Sequence, residues 1–235
     1  MGVQRYAYFI VSVFLIVGCA TAPRTDKSIP AAAAGTRLFD PATAIQDQWQ
    51  HLRLQGETEY RLALMDGQVA IRAIGQQSAS GLIRRVSIDP TKCPIVEWSW
   101  SVTKMQQDAN LRVKEKEDVA ASIFLLFGDP GFLFDPKPVP TLRYVWTNGN
   151  VPTGDIVDNP YLPGIVRSIV VESGTDRIGG WITERRNVIQ DFLNAFGYRP
   201  AERIHAVVLF TDNDQTQEPV EAYYGSGRML CAPME

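Results

Sequence analysis

Hydrophobic and polar residues alternate along most of the chain, which is the pattern of β-strands with one buried face. In VEWSWSV, Val96, Trp98 and Trp100 fall on one face, while glutamate and serine fall on the other. The segment VAASIFLLFG is apolar on both faces, as expected of an inner strand in a two-layer structure. Turn signals such as MDG, GDPG and NGN separate these segments. The pattern therefore predicts an all-β, mainly antiparallel sandwich.

One segment near the C-terminus breaks this alternation. Between residues 189 and 196, an apolar residue recurs every three or four positions, which predicts an amphipathic helix. Asn187 is a suitable N-cap, Gly197 is suited to end the helix, and Pro200 prevents its continuation. We therefore expect one short amphipathic helix that lies on the sandwich.

The N-terminus has the form of a secretory signal. Arg5 precedes an apolar run over residues 6–17 that is too short to span a bilayer as a mature helix. The sequence IVGC at positions 16–19 matches the bacterial lipobox, in which the cysteine is acylated and becomes the new N-terminus. We predict that residues 1–18 are a lipoprotein signal peptide and that Cys19 carries the lipid. The alternative is an ordinary signal peptide that contains a cysteine.

The mature chain is therefore expected at a membrane surface. Alanine rather than aspartate at position 20 favours the outer membrane, with the protein facing the periplasm. Residues 19–35 are rich in alanine, threonine, proline and lysine and predict a flexible tether. Residues 36–235 are enough for a single β-sandwich domain. The net charge is −3 and no basic face is visible, so we expect no nucleic-acid partner.

Two further cysteines, Cys93 and Cys231, remain in a chain that is expected in an oxidising compartment. They form either a disulfide or two free thiols. The sequence leaves both alternatives open, because it does not show whether their Cα atoms are close enough.

Several segments follow one another in the order of a recognisable family. These are EKEDVAASIFLLF, LRYVWTN, IVVESG, GGWITERRNVIQDFLNAFG and AVVLFTDNDQT, within residues 49–229. In these segments the chain resembles an uncharacterised family of exported bacterial proteins, a domain of unknown function. It departs from the family at Ser122, where the pattern leads us to expect arginine after DVAA. The family supplies no activity.

A more distant resemblance is to jelly-roll sandwiches of the galactose-binding type, including carbohydrate-binding modules. The shared layout is SASGL early in the chain, a WxW strand, and a tryptophan before the helical segment and a late apolar strand. The resemblance implies a jelly-roll β-sandwich, a glycan-type ligand and a structural Ca²⁺, each as an expectation. Analogy at the level of fold does not establish a ligand.

Asp212 ends the apolar segment IHAVVLFTD, and Asp214 follows two positions later, like the first ligands of a calcium loop. Gln217 and Tyr223 stand where an EF-hand loop requires glycine and glutamate, so this is not an EF-hand. A Ca²⁺ site of another kind, with Asp212 and Asp214 as candidate ligands, and a polar hairpin turn both remain open.

An aspartate at the end of a buried strand needs a partner. The segment WITERRNVIQD offers one in Arg185 or Arg186. We expect one of these arginines to bind Asp118, Asp212 or Asp214. Such a network would either fix the two sheets or line a polar ligand cleft.

The tryptophans suggest where a sugar would stack. Trp98 and Trp100 are expected in the core, whereas Trp146 and Trp181 lie near strand ends. We therefore predict a ligand site formed by Trp146, Trp181, Glu184, Arg186, Asp212 and Asp214.

Catalytic motifs are weak, and we predict no catalytic residue. Neither His51 nor His205 stands in a Ser-His-Asp pattern, and no paired histidines or cysteines have zinc spacing. The leading hypothesis is a lipid-anchored envelope protein that binds a glycan-type ligand. One alternative is a hydrolase of envelope polysaccharide that uses two carboxylates. The other is a structural protein that docks on an envelope partner.

Overall fold

The computed structural model describes residues 35–42, 49–132 and 135–231, and these residues form two stacked β-sheets. The predicted signal peptide and Cys19 lie outside the described residues, as does the predicted tether except for Gly35, where the first strand begins. The strands are β1 (Gly35–Phe39), β2 (Trp49–Gln55), β3 (Glu59–Met65), β4 (Gln68–Ile74), β5 (Ala79–Ile88), β6 (Ile95–Lys104), β7 (Ala121–Phe127), β8 (Gly131–Phe132), β9 (Asp135–Pro136), β10 (Thr141–Thr147), β11 (Ile156–Asp158), β12 (Val166–Ser173), β13 (Ile182–Asn187), β14 (Ile204–Asp212) and β15 (Glu221–Leu230).

The two sheets have six and seven strands. The six-stranded sheet has the order β13-β6-β15-β4-β3, with β1 also paired to β15. The seven-stranded sheet has the order β11-β12-β10-β7-β14-β5-β2, and β8 and β9 form a small hairpin. Neighbouring strands are antiparallel except for β10 and β12, which run parallel. The prediction of an all-β, mainly antiparallel jelly-roll sandwich is confirmed.

The core lies between the sheets because alternate residues of the central strands point to the same side. Trp98 and Trp100 of β6 face Ile123 and Leu125 of β7, and all four side chains are buried. Burying one large apolar side chain contributes about 1.5–3 kcal/mol, so this layer is the main source of stability. The expectation that Trp98 and Trp100 are core residues is confirmed.

The helix α1 (Val188–Phe196) forms where the apolar spacing predicted it. The side chain of Asn187 accepts hydrogen bonds from the amides of Ile189 and Gln190. Gly197 is left-handed, with φ of 82°, and its amide donates to the carbonyl of Leu193. No helix among the described residues is long and apolar enough to cross a membrane.

The two ends of the described domain meet on β15. Strand β1 pairs with the last part of β15, with Gly35 opposite Leu230. The next residue, Cys231, forms a disulfide with Cys93, which lies in the turn between β5 and β6. This bond links residues that are 138 positions apart in the sequence.

The disulfide gives a first prediction. Because a cross-link over a long loop restricts the unfolded chain, Cys93→Ser/Cys231→Ser should lower the free energy of unfolding by about 2–5 kcal/mol. Denaturation in urea, with and without a reducing agent, measures this loss. Reducing agent should destabilise the wild-type protein and leave the double variant unchanged; equal effects on both would contradict the prediction.

Candidate functional site

A groove crosses the outer face of the seven-stranded sheet, the face turned away from the six-stranded sheet. Alternation on β7 and β14 sends one set of side chains into the core and the other set to this face. The apolar residues on the outer face form the groove floor, which consists of Ala79, Ile83, Phe124, Leu126, Val208 and Phe210. The groove has a volume of about 940 Å³.

A glycine on β5 shapes the floor. Gly81 lies opposite Phe210 on the neighbouring strand. A Cβ atom at Gly81 would lie 2.6 Å from the Phe210 ring and 2.7 Å from the Leu209 carbonyl oxygen, so a side chain there would clash. The ring of Phe210 therefore has its place because residue 81 is glycine. It meets the ring of Phe124 edge to face, at 5.6 Å between centroids.

The walls of the groove come from the two edges of the sheet. Leu52 and Leu54 belong to edge strand β2, whereas Tyr161 and Leu162 follow edge strand β11. Leu54 is 69% exposed, Leu162 is 48% exposed and Tyr161 is 46% exposed. Large apolar side chains at this exposure gain free energy when a ligand covers them.

Arg143, on β10, carries a charge into this face of the sheet. It is 1% exposed, and its guanidinium lies over the ring of Phe124, 5.1 Å from the centroid. Its Nη1 donates to Oε1 of Glu117, and its Nη2 lies 3.8 Å from Oδ1 of Asp212. The Asn159 amide also donates to Oε1 of Glu117, at 3.1 Å. Arg143 therefore joins the loop before β7 to the end of β14.

Burial and neighbouring charges shift the pKa values of Arg143 and its two acidic partners in opposite directions. Burial raises the pKa of Glu117 and raises that of Asp212 well above its usual range, although Arg143 favours both carboxylates. Burial disfavours the charged form of Arg143, but Glu117 and Asp212 raise its pKa overall. The guanidinium therefore stays protonated.

The end of β14 and the turn after it contribute two members of a cluster of three aspartates. Asp118, Asp212 and Asp214, here called the acid cluster, each place a carboxylate oxygen within 4.8 Å of the others. Asp118 accepts hydrogen bonds from the amides of Gln215 and Thr216, at 3.3 and 2.6 Å. Burial, followed by the charge of Asp118, raises the pKa of Asp214. Asp212 and Asp214 thus stand at one end of the groove.

The prediction that Arg185 or Arg186 binds one of these aspartates is wrong. Arg186 binds Asp191 through two hydrogen bonds, at 3.0 and 2.6 Å, and Arg185 lies 3.8 Å from Glu97. Both arginines are on β13, which belongs to the six-stranded sheet, whereas Asp212 ends a strand of the other sheet. Asp212 is paired with Arg143 instead.

The six residues of the predicted ligand site are not gathered at one place. Trp146 is 1% exposed in the core, where it packs against Trp100 and donates to the carbonyl of Gly174, so it offers no face to a ligand. Trp181 is half-buried and donates to the carbonyl of Met65, next to β13. Glu184 and Arg186 lie on β13 itself. Asp212 and Asp214 are the two members that line the groove.

Glu184 and Glu172 form a pair of acidic residues outside the acid cluster. Burial, together with a hydrogen bond and the negative charge of Glu172, raises the pKa of Glu184 to about 7. Arg177 donates a hydrogen bond to Oε1 of Glu172. Burial and the like charge of Glu172 therefore favour the protonated form of Glu184.

The residues that sequence reasoning missed are Arg143, Glu117 and the phenylalanines of the floor. Arg143 alternates with the large apolar residues of LRYVWT, a pattern that is typical of a half-buried strand and does not mark the arginine as buried. A signal was present, since the adjoining segment VAASIFLLFG is apolar on both faces. A charge on the strand beside such a segment lies among apolar side chains on either face, so it must find a partner.

Comparison with known proteins gives a family and distant structural likenesses. Residues 47–227 match the family model described as protein of unknown function (DUF3047). No curated protein matches the sequence.

The solved structures with a similar fold include three carbohydrate-binding modules. The family 11 module of the cellulase Lic26A-Cel5E of Clostridium thermocellum is 9% identical, with a TM-score of 0.44 over 87% of this chain and 99% of that one. The family 30 module of Cel9D-Cel44B of the same organism is 8% identical, with a TM-score of 0.45 over 86% and 99%. The CBM22-1 xylan-binding domain of Paenibacillus barcinonensis Xyn10C is 11% identical, with a TM-score of 0.39 over 86% and 100%. At these values the likenesses contribute nothing to the assignment of a ligand.

The Arg143 ion group gives a second prediction. Arg143→Met leaves Glu117 and Asp212 buried without a counter-charge, so it should lower the free energy of unfolding by about 3–5 kcal/mol. Urea denaturation measures the change. The control is Arg112→Met, which removes an exposed contact with Asp155 and should cost at most about 1 kcal/mol. Equal losses in the two variants would contradict the prediction.

The acid pair gives a third prediction. A carboxyl whose pKa is raised from 4.5 to about 7 in the folded state supports stability below pH 4.5 and loses that support as the pH rises to 7. Glu184→Gln should therefore raise the melting temperature at pH 8 by roughly 2–4 °C, which corresponds to about 1 kcal/mol after discounting for solvent screening.

The gain from Glu184→Gln should shrink to near zero at pH 4.5. Exposed Glu202→Gln is the control and should show no such pH dependence. Melting curves of the three proteins between pH 4.5 and 8 check this, and a gain that is constant with pH would count against the raised pKa of Glu184.

Proposed function

This chain belongs to DUF3047, a family of proteins of unknown function, and we propose that it is a ligand-binding module of the bacterial cell envelope whose site is the groove on the seven-stranded sheet. The proposal rests on one observation: a groove of about 940 Å³ has an apolar floor and is flanked by exposed apolar and hydrogen-bonding side chains. Small-molecule sites of proteins have this build and reach about 300–1,000 Å³.

The ligand that fits best is a glycan-type molecule. A sugar ring has one face of C–H groups, which suits the floor around Phe124 and Leu126, and a rim of hydroxyl groups. Side chains that can form hydrogen bonds with hydroxyls line the groove around that floor, namely Gln50, Arg53, Gln55 and Gln215. The groove is also bounded by walls at both edges of the sheet, which suits a chain of linked rings lying between them.

An elongated lipid is the second candidate, and a specific observation favours it. The floor consists of alanine, leucine, isoleucine, valine and phenylalanine, and the aromatic face of Phe124 is partly covered by Arg143. Such a surface accepts an acyl chain as readily as a sugar face.

The hydrolase alternative receives less support from the geometry. Glycosidases need two carboxyl groups across a cleft, separated by about 5–9.5 Å, with access to the substrate. Asp212 has a raised pKa, but it is 4% exposed and its Oδ1 accepts the amide of Val119 at 2.8 Å. Glu172 and Glu184 share a hydrogen bond and lie away from the groove.

The location in the envelope rests on the lipobox at positions 16–19. We infer that Cys19 is acylated and holds the domain at the outer membrane. The chain between Cys19 and Gly35 can extend by at most roughly 55 Å, so the groove would stay near the membrane surface. Mass spectrometry of the mature protein, which would show the acyl groups on Cys19, tests this part separately.

The groove gives a fourth prediction, tested by isothermal titration. The protein is titrated with oligosaccharide fragments of envelope polysaccharide and, in parallel, with a lysophospholipid. Leu54→Ser/Leu162→Ser removes two exposed groove walls and should weaken binding of the ligand at least tenfold, which is about 1.4 kcal/mol.

The matched control is Leu62→Ser/Leu64→Ser. These leucines are 45% and 73% exposed on β3 of the other sheet, so their loss should leave binding unchanged. Binding of oligosaccharide supports the glycan proposal, and binding of lysophospholipid alone supports the second candidate. No binding of either ligand, or equal losses in both double variants, would overturn the groove as the site.

A further inference from the structure

At the end of the groove where Asp212 and Asp214 lie, the carboxyl groups outnumber the one neighbouring cation, Arg143. Glu117, Asp118, Asp212 and Asp214 influence one another electrostatically, and the first three are at most 6% exposed. Among the described residues, Arg143 is the cation that contacts them. One guanidinium, in contact with Glu117 and Asp212, is thus the counter-charge for four neighbouring carboxyl groups, three of which are buried, and buried like charges of this kind are costly.

Acceptor oxygens without donors surround the same place. Gln106 is 1% exposed, and its amide nitrogen donates to the carbonyl oxygen of Asp212. The other amide atom, Oε1 of Gln106, accepts no hydrogen bond from any described residue. The same holds for Oδ1 of Asp214 and for Oε1 of Gln215, whose amide nitrogen binds Asp214 at 2.8 Å. Each of these three oxygens is buried.

Buried acceptors are normally satisfied, so three of them beside three aspartates need an explanation. A small cavity of about 10 Å³, bordered by Gln106 and Asp118, has room for one water molecule. A water could donate to an amide oxygen, but it would not reduce the repulsion among the carboxylates. A cation does both.

We propose that the acid cluster binds a calcium ion, with carboxylate oxygens of Asp118, Asp212 and Asp214 as ligands and the free oxygens of Gln106 and Gln215 completing the shell. The ion would lie at the end of the groove, and its charge would offset the excess that Arg143 leaves. This inference concerns the protein alone and does not depend on the identity of the groove ligand.

The donor set selects calcium among common cations. Every donor is an oxygen, which excludes a preference for zinc, since zinc favours cysteine and histidine. The carboxylate oxygens lie within 4.8 Å of one another, which is close enough for one ion to contact all three. Calcium accepts six to eight oxygens in an irregular shell, whereas magnesium demands a near-ideal octahedron and usually keeps several of its waters, so a shell made of side chains from separate segments suits calcium.

Calorimetric titration of chelator-treated, full-length mature protein with CaCl₂, followed by melting curves, tests the proposal. We expect one ion per chain. At a calcium concentration about 100-fold above Kd, the melting temperature should rise by roughly 5–10 °C. Magnesium should bind at least tenfold more weakly. Terbium luminescence excited through tyrosine gives a second readout, because the Tyr161 hydroxyl lies 3.3 Å from the Gln215 amide.

Asp214→Asn is the informative variant. Asp214 makes no ion pair with a described residue and is only half-buried, so its replacement should fold. It should weaken calcium binding at least tenfold and abolish most of the rise in melting temperature. Asp108→Asn, in the same region but 72% exposed at its side chain and outside the cluster, should bind calcium like the wild-type protein.

Two outcomes would overturn the proposal. One is the absence of both binding heat and a shift in melting temperature at millimolar calcium. The other is an Asp214→Asn variant that binds calcium as tightly as Asp108→Asn. Either result would mean that protonation, rather than a metal ion, relieves the repulsion in the acid cluster.

Discussion

The buried guanidinium of Arg143 is the constraint on which this face of the protein depends. A cation that is 1% exposed is tolerated only if acceptors are held against it, and two come from separate segments. Glu117 lies in the long loop between β6 and β7, and Asp212 ends β14. Both segments must close over β10 to reach Arg143. The sheet is therefore covered at one end by the loop and left open as a groove at the other.

The groove and the acid cluster are two results of the same arrangement. Where strands alone form the outer face, alternation leaves a row of apolar side chains with the fixed spacing of a sheet. Where the loop covers the sheet, backbone amides and carboxylates converge instead. A ligand in the groove would therefore meet a rigid apolar surface and, at its end, a polar and strongly charged one. This contrast gives an elongated ligand one preferred direction.

Local features of the fold could be read from the sequence, whereas the contacts between strands could not. The strands around Trp98 and the helix after Asn187 follow from periods and caps that involve neighbouring residues. The partner of Asp212 depends on strand order, because Arg143 must reach across Phe124 of the intervening strand β7. Arg186 seemed a suitable partner, but Asp191 is five residues away on the adjoining helix and binds it first. Arg186 therefore pairs with an acid that is close to it in the sequence.

The junction of β1, β15 and the disulfide has a mechanical consequence. If the chain is tethered at Cys19, any pull between membrane and domain enters at Gly35 and passes to the hydrogen bonds with the end of β15. That end cannot peel away, because Cys231 is bonded to Cys93 in the turn before β6. The load is thus carried by a covalent bond into the turn that joins β5 of the seven-stranded sheet to β6 of the six-stranded sheet.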